Sequence, residues 1–320
     1  MAEFLTIGEP MAVFAAENVD ATLVDAANFQ KYLAGAELNV AIGISRLGHS
    51  TEYVSSVGTD PFGKYIIKAV SDAGVGTQYL DSNPDFWTGF YLKQRVSHGD
   101  PQTYYFRKNS AAANFDSSSL DKIDFDGLKI AHLSGIFAAL SDNDLAVLKD
   151  LNQRLIQHNV TVTFDPNLRP ALWSSQERMV AVTNELAKQA NVVMPGINEG
   201  EILMGSRDPE KIADFYLQQS ELTQTVIVKL GPDGALIKQK DGSQEVVSGF
   251  RVDHVVDTVG AGDGFAVGFI SGLLEGKTLR ESVKRGCAIG ALAVMSPGDN
   301  DGYPTPTQLA DFYKQQAALS

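Results

Sequence analysis

The chain has 320 residues, 44% of them hydrophobic and 20% charged, with a formal net charge of −13. That length accommodates one large α/β domain with room for a small appendage and an ample core. The negative balance argues against nucleic acid or an anionic membrane as partner, no apolar run approaches the ~18 residues that span a bilayer, and the single Cys287 excludes an internal disulfide framework.

The N-terminus lacks a basic region and runs directly into an apolar strand, so no secretory signal is read there and a cytoplasmic location is expected. Residues 4–8 and 11–16 read as strands, and 23–33 is loosely patterned up to Ala34-Gly35-Ala36. A helix over 37–47 follows from Leu38, Ala41, Ile42 and Ser45 at helical spacing, with Gly48 as its stop. A strand at 53–57 leads to a helix at 61–73, opened by Pro61.

The stretch 86–107 is different. Residues 88–96 and 102–107 read as two strands joined by a turn-rich loop, with no helix between them, and so form a small β appendage together with 11–33. From 129 the alternation is regular. Strands at 129–133, 161–164, 192–194 and 225–230 alternate with helices at 142–158, 175–190, 198–204 and 209–218. A hairpin over 231–248 and helices at 263–275 and 278–294 follow. Such alternation implies a parallel sheet with right-handed crossovers and helices on both faces, whose ligands bind beyond the carboxyl ends of the strands.

The most informative stretch is 257–265, Asp-Thr-Val-Gly-Ala-Gly-Asp-Gly-Phe, which opens an apolar helix. Glycines before a helix permit tight turns and leave amide N–H groups aimed at its N-terminus, where an anion is favoured. Asp263 is a carboxylate in an anion's place. It suits a group that takes a proton from a nucleophile while the amides hold developing negative charge; it is also compatible with a plain helix N-cap.

Other polar residues follow strand ends. Asp165-Pro-Asn167-Leu-Arg169-Pro is a rigid loop presenting Arg169. Asn198 can cap a helix and set Glu201 one turn along, although this is also a capping box. Lys229-Leu-Gly231-Pro-Asp-Gly234 is a tight turn. In Tyr104-Tyr105-Phe106-Arg107, alternation puts Tyr105 and Arg107 on one face, a hydroxyl beside a guanidinium, suited to a carboxylate or phosphate. No two of the five histidines have metal-ligand spacing and no Ser or Cys lies in a nucleophile motif, so structural zinc and Ser-His-Asp hydrolysis are not expected.

With these residues in view, the sequence resembles the ribokinase-like (phosphofructokinase-B) sugar kinases from end to end. The resemblance is carried by Gly35-Ala-Glu-Leu-Asn39-Val-Ala-Ile-Gly-Ile-Ser-Arg46-Leu-Gly48 and Asp257-Thr-Val-Gly-Ala-Gly-Asp263-Gly-Phe, with Asn198-x-x-Glu201 between them. It implies a three-layer α/β/α fold with a mostly parallel central sheet, a single domain over 1–320, and a β lid formed by about 11–33 and 86–110. It implies ATP-dependent phosphorylation of a sugar hydroxyl, with Asp263 as general base and the amides of Gly260, Ala261, Gly262 and Asp263 as anion hole. ATP would meet Asn167, Asn198, Lys229, Gly231, Gly234, Gly260 and Gly262, and Mg2+ would be held by Glu201, mainly through water. A homo-oligomer, dimer or higher, is expected.

Within the family the marks are closest to kinases of 2-keto-3-deoxygluconate. In that branch Gly35, Asn39, Tyr91, Tyr105, Arg107, Arg169 and Asp263 would contact the sugar acid, the two arginines receiving its carboxylate. A fructokinase-like sugar kinase and a non-catalytic sugar or nucleotide sensor are the competing readings. A dehydrogenase fits less well, since its glycine fingerprint follows the first strand, whereas Gly260-Ala-Gly262-Asp-Gly264 lies near the C-terminus.

Overall fold

The computed structural model describes residues 2–99, 101–252, 254–256, 258–296 and 298–319. Asp257, the first residue of the glycine signature, lies outside the described residues.

The strands are β1 (Phe4–Ile7), β2 (Met11–Val19), β3 (Phe29–Ala34), β4 (Thr51–Gly58), β5 (Leu80–Asn83), β6 (Phe90–Arg95), β7 (Thr103–Phe106), β8 (Ile130–Ser134), β9 (Thr161–Asp165), β10 (Val192–Val193), β11 (Thr225–Lys229), β12 (Gly234–Gln239) and β13 (Gln244–Ser248). Nine of them form one sheet in the order β13-β12-β11-β10-β9-β8-β1-β4-β5. From β11 to β5 every pairing is parallel, and the hairpin β12–β13 adds an antiparallel edge. The remaining four make a second, small sheet in the order β3-β2-β6-β7.

The central strands read as continuous apolar runs because both faces are covered. Along β11, Val226 and Val228 enter one apolar cluster and Ile227 the other, the period of two a pleated strand requires. One face carries α1 (Ala36–Arg46), α2 (Pro61–Asp72), α8 (Ala261–Leu274), α9 (Leu279–Ala293) and α10 (Pro306–Leu319). The other carries the short α3 (Gly135–Ala138), α4 (Asp142–Gln157), α5 (Gln176–Ala187), α6 (Ile197–Met204) and α7 (Pro209–Gln219).

Helix α8 matters most for function. Residues 264–272 are all buried, so it is held from every side rather than along one stripe. Fully burying a side chain such as Phe269 contributes about 1.5–3 kcal/mol. Its glycines admit α9 at close range: a Cβ on Gly268 would stand 2.4 Å from the Arg285 carbonyl oxygen. A substitution such as Gly268→Val would therefore push the two helices apart and disturb the turn that starts α8.

Some elements escape sequence reading. Strand β5 is a polar edge strand with only Leu80 fully buried. Strand β3 hides in the loosely patterned segment, and α10 has mixed composition. Helix α6 starts at Ile197 with Gly196 as its cap, two residues before the position expected for a cap at Asn198. No described helix is long and apolar enough to cross a membrane.

Candidate active site

The start of α8 is built by backbone rather than side chains. Gly260 caps the helix with φ 80°, and a Cβ there would lie 2.1 Å from the Asp299 carbonyl oxygen. Only glycine meets both demands. The turn is pinned from outside, since the Tyr303 hydroxyl donates to the Gly260 carbonyl at 2.9 Å. Helix geometry then leaves the first-turn N–H groups without intrahelical acceptors.

Asp263 sits in this first turn. Asn39 of α1 donates to its Oδ2 at 2.9 Å, and Asn167 lies 3.5 Å from its Oδ1. The Asn300 side-chain amide in turn donates to Asn39 Oδ1 at 2.8 Å, which orients the Asn39 Nδ2 toward Asp263. Burial pushes the Asp263 carboxyl up to about 6, against the pull of the Asn39 hydrogen bond. The group is thus poised to bind or release a proton near neutral pH.

Beside it, the carboxyl ends of β9 and β11 bring Asp165 and Lys229 together at 2.5 Å. Burial works to lower the Lys229 ammonium, but Asp165 and Glu199 outweigh it and hold it above its ordinary range. The Nζ lies 3.9 Å from where a Cβ on Gly262 would stand, so a firmly held cation flanks the α8 turn. Glu199 accepts from the Gly196 N–H at 2.7 Å and the Leu168 N–H at 3.0 Å. Burial raises its carboxyl, with the Lys229 charge acting the other way.

The opposite end is made by the small sheet and the α1 turn. Gly35 has φ 143°, and a Cβ there would be 2.8 Å from the Glu9 carbonyl oxygen. Tyr91 and Tyr105 face each other across β6 and β7, with ring centroids 4.8 Å apart. The Arg107 guanidinium stands over the Tyr105 ring at 5.7 Å and pairs with the buried Glu9, Nε to Oε2 at 2.6 Å. Arg169 donates to the Asn167 Oδ1 at 2.7 Å, and Asn167 takes a left-handed φ of 41° to reach it. Glu37 is buried beside Ser134, whose hydroxyl donates to it, and burial pushes its carboxyl up to about 7.

These residues share one cavity of about 320 Å³. Asp263, Gly260, Gly262, Asn167, Lys229, Gly35, Asn39, Tyr91, Tyr105, Arg107 and Arg169 all line it, with Asn39 hydrogen-bonded to Asp263 and the Arg169 charge acting on that carboxyl. Tyr104, on the opposite face of β7 from Tyr105, is absent from the lining. A larger open groove of about 1280 Å³ runs between residues 249–252, α9 and α10 and contains none of this chemistry.

Several expected residues lie elsewhere. Glu201 is exposed and paired with Arg207 at 2.9 Å, and Asn198 is also exposed; neither lines the cavity. The cause is the start of α6. With Gly196 as cap, the third helical residue is Glu199, and a shift of two residues turns a side chain by roughly 200° about the axis. The carboxylate at the cavity is therefore Glu199, not Glu201. Gly231 and Gly234 flank a single 3-10 turn beyond the lining, and Gly234 is needed there because a Cβ would meet the Val247 carbonyl oxygen at 1.9 Å. Sequence reasoning did not single out Glu9, Glu37, Glu199, Asp299 and Asn300. A visible signal existed for two of them: Glu9 interrupts two apolar strands, and Glu37 is a carboxylate in the first turn of an otherwise apolar helix.

An acid–base carboxylate at a helix N-terminus, beside backbone donors and a buried lysine, defines a group-transfer site for an anionic group at the carboxyl edge of a parallel sheet. The pfkB family carbohydrate kinase model matches residues 1–306, and the chain belongs to that family. It is 44% identical to 2-dehydro-3-deoxygluconokinase of Bacillus subtilis (strain 168), over 98% of this chain and 96% of the relative. The crystal structure of a PfkB protein from Polaromonas sp. JS666 superposes with TM-score 0.87 at 38% identity, covering 97% and 99% of the two chains. A putative ribokinase II from E. coli in complex with ATP and Mg2+ shares the fold, with TM-score 0.88 at 23% identity over 98% and 100%.

Proposed function

We propose that this carbohydrate kinase transfers a phosphoryl group from ATP to the 6-hydroxyl of 2-dehydro-3-deoxy-D-gluconate. The observation that carries the reaction is Asp263, a carboxyl with a pKa near 6 held by Asn39 at the start of α8. Asp263 takes the proton from the hydroxyl as it attacks, and the amides of Gly260 to Asp263 receive the charge on the transferring group. Lys229 adds a fixed positive charge beside that turn. Phosphoryl transfer demands mainly positioning and charge neutralisation, which these groups supply without covalent catalysis.

ATP lies along the Lys229–Gly234 turn in this reading, with Asn167 and the α8 turn at its phosphates. Mg2+ would supply neutralisation of the phosphate charge here. Among the described residues no three His, Cys, Asp or Glu side chains are grouped to hold a metal alone. The donor set suits an ion held chiefly by phosphates and water, with Glu199 in the role first expected of Glu201. The small sheet acts as a lid over the sugar and excludes water, on one domain spanning the chain, and the assembly is a homo-oligomer.

The acid substrate is supported by Arg107 and Arg169 on one cavity and by the name of the Bacillus relative. One observation favours a second reading: Glu9 already compensates the charge of Arg107, which suits a neutral sugar such as fructose. An ADP-release assay with 2-dehydro-3-deoxygluconate, fructose and ribose separates the two. The proposal expects the acid to lead by at least about tenfold in kcat/KM, the size of a lost charge-assisted contact; comparable turnover of a neutral sugar overturns it.

A further inference from the structure

The chain passes between the large sheet and the small one four times, and Glu9 stands at every crossing. It lies in the first, between β1 and β2. Its backbone oxygen is 2.8 Å from the Cβ that Gly35 lacks, at the return from β3. Its Oε1 is 2.6 Å from the Cβ that Gly89 lacks, at the approach to β6. At the exit from β7 its carboxylate takes Arg107, with Nη2 to Oε2 at 2.5 Å and Nε at 2.6 Å, and the Ser110 hydroxyl at 2.5 Å on Oε1.

The residue is 2% exposed, and the Arg107 side chain 10%. A guanidinium is a rigid planar fork, so fixing its Nε–Nη2 edge fixes the direction of the other edge. The Glu9 contacts use Nε and Nη2, and both Arg107 and Glu9 line the cavity. An arginine on an exposed strand end would otherwise lose rotamer freedom each time a ligand bound.

We infer that Glu9 is the positioning residue of the acid-binding end: from the β1–β2 connection it aims Arg107 at the substrate carboxylate and ties that contact to the exit from β7. The inference rests on the reading of Arg107 as a carboxylate receptor. Binding of the sugar acid and the seating of the β7 end of the small sheet are then linked, because the Glu9 carboxylate holds both Arg107 and Ser110 there.

Glu9→Gln preserves shape and leaves one amide oxygen to accept from Arg107, while removing the charge and the acceptor that takes the Ser110 hydroxyl. Steady-state kinetics should show KM for 2-dehydro-3-deoxygluconate raised about tenfold or more, the scale of a weakened charge-assisted contact. KM for ATP should stay within about twofold and kcat change far less than the acid KM, a split that a general folding defect would not produce. In the double variant Glu9→Gln/Arg107→Ala the effects should not add to that of Arg107→Ala alone. A folded Glu9→Gln protein with unchanged or lowered acid KM overturns the inference, as do fully additive effects. If Arg107→Ala itself leaves the acid KM unchanged, the receptor reading fails and takes this one with it. Should Glu9→Gln not fold, Ser110→Ala frees only Oε1 and should raise acid KM about threefold; no change there counts against Glu9.

Discussion

At the Asp263 end of the cavity, the groups come from one continuous turn, residues 258–263, and from the carboxyl ends of two strands of the same sheet. At the Arg107 end they come from the small sheet, the α1 turn and the β1–β2 connection, while the loop after β9 reaches toward Asp263. The first end is rigid by construction, because α8 is buried along 264–272 and its cap admits no side chain. The second is held by a pairing between side chains, Arg107 with Glu9. The Asp263 end is thus framed by backbone that a family can share, and the Arg107 end by side chains that can be exchanged without disturbing it.

The sharpest break between the two ends is Asp263→Asn. It should lower kcat by about 10³-fold or more while leaving sugar KM within a few-fold, since only proton transfer is lost; retained turnover would remove Asp263 from its role. Arg107→Ala should do the reverse, raising KM for the sugar acid about 10- to 100-fold with a smaller effect on kcat. Next comes the pair Glu199→Gln and Glu201→Gln. The first should cost about tenfold in kcat and raise the Mg2+ concentration needed for half-maximal rate, whereas the second, which removes only a surface pair with Arg207, should leave both unchanged.

The pH profile separates the ends further. Asp263 works as a base only when ionised, so kcat/KM should rise with pH up to about 6 and level off above it. A profile flat from pH 5 to 8 would contradict that protonation. The smallest effect distinguishes two neighbours: Tyr105→Phe should raise acid KM by about twofold to fivefold, the worth of a neutral hydrogen bond, and Tyr104→Phe should change nothing. Equal effects would break the assignment of faces on β7.

Legibility followed the same division. The α8 turn was readable because glycine spacing before an apolar helix has few physical uses. The alternation of strands and helices was readable because a sheet covered on both faces forces long apolar runs. Tyr105 and Arg107 were placed on one face by pleat alone. What stayed hidden was phase and pairing. Asn198 caps as well as Gly196 on sequence grounds, yet the two-residue difference decides which glutamate reaches the cavity. Glu9 pairs with a residue 98 positions away, and no local pattern records such a contact. Strand β5 and helix α10 lack a clean apolar period, so only their packing defines them.

The most direct test of the two-ended cavity is a crystal structure of the protein with 2-dehydro-3-deoxygluconate and a non-hydrolysable ATP analogue. The account predicts the 6-hydroxyl within hydrogen-bond distance of Asp263 and the carboxylate on the remaining edge of Arg107, with Glu9 still paired behind it. A sugar acid bound with its carboxylate away from both Arg107 and Arg169, or with its 6-hydroxyl out of reach of Asp263, would contradict it.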